Sequence, residues 1–522
     1  MDANHDSMPR KAGRKEWIGL GVIALPCLLY SMDLTVLNLA VPHLSADLKP
    51  SANQLLWIVD IYGFMVAGAL IIMGTLGDRV GRRKLLLIGA VAFGLASVFA
   101  AFSTSAEMLI VARALLGLAA ATLAPSTLSL IRNMFLDPAE RTVAIGIWIA
   151  SFSAGGAIGP LVGGLLLTWF WWGSVFLIAV PVMVLLVILA PVLLPEYRDP
   201  MAGRLDLVSA AQSLIAVLAV IYGIKHWATG GFDAWAVAML VVGILFTGLF
   251  VRRQRQLADP LIDLSLFRSP AFGGALAINV LGLFSAFGSF LLTALYLQMT
   301  LGLNPLSAGL WSAPSAAAFV AGSTLAPRLL SRFHSSTVIA SGFAVAALGF
   351  AMLAMAGGPQ ALAVVVASNF VLSLGLAPVF TLTTDLIIGA APPERVGGAA
   401  GLAETSSEFG GALGIAILGT IAASIYRGEM AVSMPEGLPP EVEMIARETV
   451  GGAIAEGMAL GGPVGEAVLA AARAAYADGY AITMAIAAVV AIVAAMVTLL
   501  LLRSTSAERE TCEGACHTAS AS

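Results

Sequence analysis

Of 522 residues, 59% are hydrophobic and only 11% charged, with a mean hydropathy of +0.93. Soluble domains average about 45–50% apolar and 25% charged, so a soluble multidomain enzyme is excluded. The formal net charge of -4 is too small to draw nucleic acid, and three cysteines (Cys27, Cys512 and Cys516) make neither a disulfide framework nor a four-ligand metal set.

Segment 1–16 carries Arg10, Lys11, Arg14 and Lys15 ahead of an apolar run that holds Asp33 and ends at Pro42 without a small-residue cleavage site. It reads as a cytoplasmic tail before a retained first span. Apolar segments follow at 17–41, 54–76, 85–103, 107–134, 142–168, 174–194, 207–227, 234–251, 271–299, 306–330, 337–356, 360–390, 398–425 and 479–502, fourteen in all. Lys and Arg test this count, because cytoplasmic loops are enriched in them. With the N-terminus inside, 21 of the 27 basic residues fall on the cytoplasmic side, five outside and one, Arg113, within a span. Both termini are therefore expected in the cytoplasm.

Internal repetition divides the chain. Gly74-Thr-Leu-Gly77-Asp78-Arg79 after span two returns as Gly322-Ser-Thr-Leu-Ala-Pro-Arg328 at the end of span ten, and the glycine-rich spans five and thirteen correspond as well. The offset of eight spans predicts a six-helix bundle over 17–194, two inserted helices with their loops over 195–270, a second six-helix bundle over 271–502 and a tail at 503–522. Within the second bundle, 426–478 has eight acids against three arginines and helical composition broken at Gly461-Gly462-Pro463. A helical hairpin over the outer mouth is expected there, serving either gating and cation attraction or plain stability.

The turn after span two, Gly74-x-Leu76-Gly77-Asp78-Arg79-x-Gly81-Arg82-Arg83-Lys84, sets an acid and four bases among glycines. An Asp at a helix end can pair with a base of a neighbouring segment, latching one side of a bundle in one state and releasing it in another. Topology-setting charge explains the bases but not the Asp or the spaced glycines. In span four, Arg113 costs about 2.5 kcal/mol or more at mid-membrane and calls for a partner or water. It lies some six residues from Glu107 at the outer end, a marginal reach for snorkelling, so pairing with an intramembrane acid is expected. Span five carries Gly146, Gly155, Gly159, Pro160, Gly163 and Gly164, small residues for close helix contact with a proline that removes one backbone donor.

Asp33, Asp60, Glu404 and Glu408 also lie within spans, with Asp385 nearer the cytoplasmic end of span twelve. Asp33 stands roughly 13 Å inside the outer end of span one and Asp60 roughly 9 Å inside that of span two. Thr35 or Asn38 is an alternative local partner for Asp33. Glu404 and Glu408 are one turn apart and share a face of span thirteen, so repulsion opposes both ionising together. A cavity lined by these acids suits lipophilic cations, with rings such as Trp57, Tyr62, Phe64, Trp148 and Trp311 adding cation–π attraction unless they merely pack against lipid. Burial disfavours the charged form of each acid, so each can carry a proton that a bound cation expels.

In this order the three motifs resemble the major facilitator superfamily, and the glycine–proline pattern resembles that of its antiporters. Asp33-Leu-Thr35-Val-Leu-Asn38-Leu-Ala40-Val-Pro42 and Leu56-Trp57-Ile58-Val59-Asp60-Ile61-Tyr62 resemble the fourteen-span drug:proton antiporter family, above all its Qac-type and Smv-type exporters of quaternary ammonium compounds. The resemblance runs from span one to span fourteen. It implies an all-α membrane protein of the major facilitator fold, two six-helix bundles plus two inserted helices, rocking about a central cavity. It further implies export of organic cations in exchange for protons across the cytoplasmic (inner) membrane of a bacterium. On this reading Asp33, Glu408 and Arg113 couple protons, while Glu404, Asp60, Trp57 and Tyr62 bind substrate. Gly74, Asp78, Arg79, Gly81, Arg82, Gly155, Gly159, Pro160, Gly163 and Gly164 serve conformational change. A monomer in membrane lipid is expected, with no cofactor, metal or nucleic acid.

One departure bears on selectivity. In the best-known Qac-type exporter an acid in span ten is associated with dications, whereas span ten here has none and Phe319 falls near its place. Ala403 precedes Glu404, where some relatives have two adjacent acids. Monovalent lipophilic cations are therefore expected to be favoured over rigid dications.

The chain has no Gly-Lys pair for a phosphate loop, and its five histidines do not cluster, so neither an ATP-driven pump nor a membrane enzyme is indicated. Two alternatives stay open: an exporter of an endogenous metabolite or antibiotic, and a membrane sensor that moves no substrate.

Overall fold

The computed structural model describes residues 11–50, 52–198, 206–230, 233–257, 260–392, 395–435 and 437–519, and these form seventeen α-helices with no strand among them. The first group is α1 (Arg14–Leu48), α2 (Ala52–Val80), α3 (Arg82–Ala101), α4 (Ala106–Met134), α5 (Pro138–Trp169), the single turn α6 (Ser174–Leu177) and α7 (Ala179–Leu193). Next come α8 (Leu207–Gly230) and α9 (Ala234–Gln254). The last group is α10 (Pro270–Leu295), α11 (Pro305–Leu330), α12 (Ser335–Ala354), α13 (Ala361–Ala390), α14 (Val396–Ser433), α15 (Pro440–Glu448), α16 (Val450–Leu460) and α17 (Gly462–Ala519). Starts are set by local chemistry. Asp137 caps α5 ahead of Pro138, Asn304 caps α11 ahead of Pro305, and Ser105 caps α4 through the Met108 N–H at 3.2 Å.

Twelve helices among the described residues are long and apolar enough to cross a membrane, which defines a multi-pass membrane protein. The fourteen spans expected from the sequence are not reached on this measure. The two missing are α5 and α11, of 32 and 26 residues. Both are unbroken helices, rich in Gly, Pro, Ser and Trp.

α1 packs on α5, α2 on α4, and α3 on α4 and α7; in the second group α10 packs on α14, α12 on α13 and α17, and α11 on α13. One buried apolar core fills the first group and reaches the ends of α10, α13 and α14, and a second fills the rest of the last group. The groups meet where α5 crosses α11 and where α2 and α4 cross α14. The α8–α9 pair lies on this seam, with α8 against both α2 and α14. Leu261 and Ile262, just after α9, pack with Ile71 of α2, while Arg395 donates to the Pro260 carbonyl at 3.1 Å. Asp206 accepts two bonds from Arg253 (2.6 and 2.9 Å), which hold its carboxyl well below the usual range.

Segment 426–478 differs in detail from the hairpin read in the sequence. α14 continues without a break to Ser433, because no proline intervenes before Pro435. α16 then turns at Gly461 and Gly462, both at φ +60°, into α17, whose first turns are the second arm of the hairpin. Gly457 and Gly465 meet so closely that a Cβ on either would press on the other's carbonyl, and the Tyr426 hydroxyl donates to the Ala446 carbonyl at 2.8 Å. Cys512, Cys516 and His517 lie on the last turns of α17, where side chains fall outside the described set.

Candidate functional site

Arg113 is fully buried in α4. A glycine one turn on, Gly117, lets α2 approach until a Cβ there would collide with the Tyr62 backbone. That closeness puts three groups around the guanidinium. Asp33 of α1 forms an ion pair with Nη1, the Ile58 carbonyl accepts from Nε at 3.2 Å, and the Tyr62 ring lies 4.6 Å from Cζ. Arg113 Nη2 and Tyr62 Oη are buried without a hydrogen-bond partner among the described residues, a condition that is rare in folded proteins. Thr35 donates instead to the Met32 carbonyl at 3.0 Å, and the side chain of Asn38 is outside the described set.

Beside this cluster lies a cavity of about 460 Å³ between the two helix groups, with walls from α1, α2, α4, α5, α8, α10, α11, α13 and α14. Three acids line it, Asp60, Glu404 and Glu408, and one base, Arg113. Glu408 accepts a hydrogen bond from the Tyr30 hydroxyl at 2.8 Å. Asn279 of α10 donates to Ser406 (3.0 Å) and Ser407 (2.9 Å), fixing α14 beside the acids. Aromatic rings, including Tyr30, Trp148, Phe152, Phe287 and Phe319, share the rest of the wall with aliphatic and small residues. Trp148 meets Phe152 edge-on at 4.8 Å and anchors its indole N–H on Thr127 at 3.0 Å.

Of the acids singled out in the sequence, the structure brings Asp60, Glu404 and Glu408 to one cavity and places Asp33 behind it on Arg113. The rings fare differently. Tyr62 is buried under Arg113, Trp57 is 37% exposed with its ring 6.1 Å from Phe64, and Trp311 is 48% exposed; none of the three lines the cavity. Tyr30, Phe152 and Asn279 were missed. For Tyr30 a signal existed: it sits three residues before Asp33, on nearly the same face of α1.

The loop motif forms a contact across the two groups. Gly74 packs so tightly on the Gly397 carbonyl that no Cβ fits. Asp78 accepts from Arg82 Nε (2.9 Å) and Nη2 (2.7 Å), and from the Gly397 and Gly398 N–H groups (3.2 Å each) at the start of α14. Asp78 at the end of α2 thus pairs with a base of the next helix, and the N-terminus of α14, whose dipole favours an anion, joins it from the other group. Arg79 sits half-buried in the last turn of α2, and Gly81, at φ +114°, makes the turn into α3. Nearby, Arg141 of α5 bonds Asp385 of α13 at 2.7 Å, a second tie across the groups.

On α5 a Cβ at Gly155 would strike the Leu28 carbonyl, one at Gly159 the Thr35 hydroxyl and one at Gly163 the Val36 side chain, whereas one at Gly164 meets nothing within 4 Å. These glycines let α1 and α5 touch backbone to backbone. α5 stays helical through Pro160, whose side chain is outside the described set.

Helices in two groups around a central cavity give the fold of a multi-pass membrane protein with an internal site. The profile of the Major Facilitator Superfamily matches residues 23–415, and the chain belongs to that family. It is 43% identical over 441 residues to the multidrug efflux pump LfrA of Mycolicibacterium smegmatis, covering 84% of this chain and 87% of that one. It is 36% identical over 443 residues to the methyl viologen resistance protein SmvA of Salmonella typhimurium (83% and 87% covered). It is 32% identical over 412 residues to the tetracenomycin C resistance and export protein of Streptomyces glaucescens (78% and 76% covered). Among solved structures, the human organic anion transporter MFSD10 is similar at a TM-score of 0.58 and 14% identity, covering 91% of this chain and 99% of that one. At that identity the likeness is one of fold.

Proposed function

We propose that this chain is a proton-coupled antiporter that exports lipophilic organic cations, such as quaternary ammonium compounds, dyes and antiseptics, across the cytoplasmic membrane of a bacterium. The observation that carries the reading is the cavity wall: three carboxylates among aromatic rings, with the one lining guanidinium already paired to Asp33. Such a wall attracts cations, because the carboxylates supply counter-charge and the rings cation–π faces. The relatives' names, multidrug efflux and methyl viologen resistance, agree with export of such compounds.

In this reading Glu404 and Asp60 receive the cation, while Glu408 and the Asp33–Arg113 pair handle protons. A cation beside Glu408 favours its ionised form and displaces a proton; reprotonation from the other side weakens the cation's hold and releases it. The Asp78 and Arg141 ties close the cytoplasmic end, and the chain crosses fourteen times with both termini inside. α5 and α11 supply the last two crossings, since 26 residues at 1.5 Å each make about 39 Å, beyond the roughly 30 Å hydrocarbon core. The bundles then span 17–194 and 271–502, with 195–270 inserted. Because α11 contributes Phe319 and no acid, its ring 6.1 Å from Phe380, monovalent cations are favoured over rigid dications. A second reading, export of an endogenous antibiotic, is favoured by the tetracenomycin C relative.

Substrate-dependent proton release tests the reading. Purified protein in weak buffer should release protons on addition of tetraphenylphosphonium, and Glu408→Gln should release far fewer. Binding without release would defeat proton exchange.

A further inference from the structure

The Tyr30 hydroxyl reaches from α1 in the first helix group to Glu408 on α14 in the second. Its ring lies 6.0 Å from that of Tyr62, which in turn carries Arg113, and Arg113 is paired with Asp33, three residues after Tyr30 on the same helix. The groups therefore close a circuit: Glu408, Tyr30, Tyr62, Arg113, Asp33 and back along α1. On its other side the Tyr30 ring is fixed edge-on by Phe152 of α5 at 5.5 Å. α1 and α5 are themselves locked by the Gly155 and Gly159 contacts, so a pull on the hydroxyl is delivered to both helices.

We propose that Tyr30 is the positioning residue through which the protonation of Glu408 reaches the Asp33–Arg113 pair. The proposal rests on the antiport reading above and supplies the connection between its two proton-handling sites. The physical basis is the change of Glu408 from a charged acceptor to a neutral one. As a carboxylate it accepts only, and the phenol donates a charge-assisted hydrogen bond, roughly twice as strong as a neutral one. Once Glu408 takes up a proton, its carbonyl oxygen offers a neutral acceptor and the tie slackens. Tyr30 keeps its own proton throughout, and the proton that Glu408 loses passes to cavity water. The cross-cavity tie is thus tight with cation bound and slack with proton bound. Release of the tie frees α1 to shift against Arg113, which exposes Asp33 to proton exchange.

The test separates coupling from transport. In proteoliposomes loaded with tetraphenylphosphonium, counterflow without a pH gradient measures movement of the carrier, and accumulation driven by a pH gradient measures coupling. Tyr30→Phe removes one oxygen and keeps the ring, and should lower gradient-driven accumulation at least five times more than counterflow. In a Glu408→Gln background, where position 408 no longer titrates, adding Tyr30→Phe should change that ratio no further. Equal loss of both activities, or an additional loss in the double variant, would overturn the proposal. A measurement on the unsubstituted chain guards against a variant that fails to fold. Infrared difference spectra with ring-labelled tyrosine should show a tyrosine C–O band shift on cation addition that Glu408→Gln abolishes, and absence of that shift overturns the tether. A shift without gradient-driven accumulation would support the tether and overturn the antiport reading instead.

Discussion

At the scale of single residues, the ion pair between Asp33 and Arg113 gives two carboxylates of the site different fates on neutralisation. Asp33→Asn strands a guanidinium that is fully buried, and breaking a buried pair costs about 3–5 kcal/mol. Glu408→Gln strands no charge, since the amide oxygen still accepts from Tyr30. Both variants should lose proton-coupled efflux, but only Asp33→Asn should lower the melting temperature markedly. Combining it with Arg113→Gln should recover stability without transport, as thermal unfolding and vesicle uptake would show. Phe319→Asp should raise transport of a long bis-cation relative to a monovalent one; unchanged relative transport would remove Phe319 from selectivity. The need of Arg113 for an acid was legible from its depth in an apolar run. The acceptance of backbone N–H groups by Asp78 was not, because Gly397 and Gly398 are 319 and 320 residues away and carry no side chain to advertise a donor.

Whole helices were the most legible level. Each of the apolar segments read from the sequence is helical, since in hydrocarbon every backbone group has to bond within its own segment. α5 and α11, read as spans as well, are unbroken helices that carry many small and kinking residues where they cross each other. The spans read as ending at 425 and beginning at 479 are parts of longer helices, α14 running on to Ser433 ahead of Pro435 and α17 starting at the Gly461-Gly462 break read in the sequence. The α1–α5 contact supplies a graded test. Gly155→Ala meets a carbonyl that cannot turn aside, Gly159→Ala a hydroxyl that can, and Gly164→Ala open space. Losses of transport and of melting temperature should fall in that order. Gly159→Leu, too large for any rotation of Thr35 to accommodate, should hold α5 off α1 and abolish coupling; normal transport by this variant would reduce the motif to packing.

For the whole molecule, orientation is open to chemical labelling. Gly451 is exposed on α16 with nothing within 4 Å of a Cβ. After replacement of Cys512 and Cys516, a Gly451→Cys variant should react with an impermeant maleimide added to intact cells; protection until lysis would invert the topology. The same region has a mechanical side. α17 is one helix from the hairpin turn at Gly462 to Ala519, and it packs on α10, α12 and α14. If the hairpin faces outward as proposed, a rigid ligand clamped on it grips a long helix that packs on the one carrying Glu404 and Glu408. An antibody fragment against α15 and α16 would act as a brake applied from outside, slowing turnover at every substrate concentration while leaving the cavity free to fill.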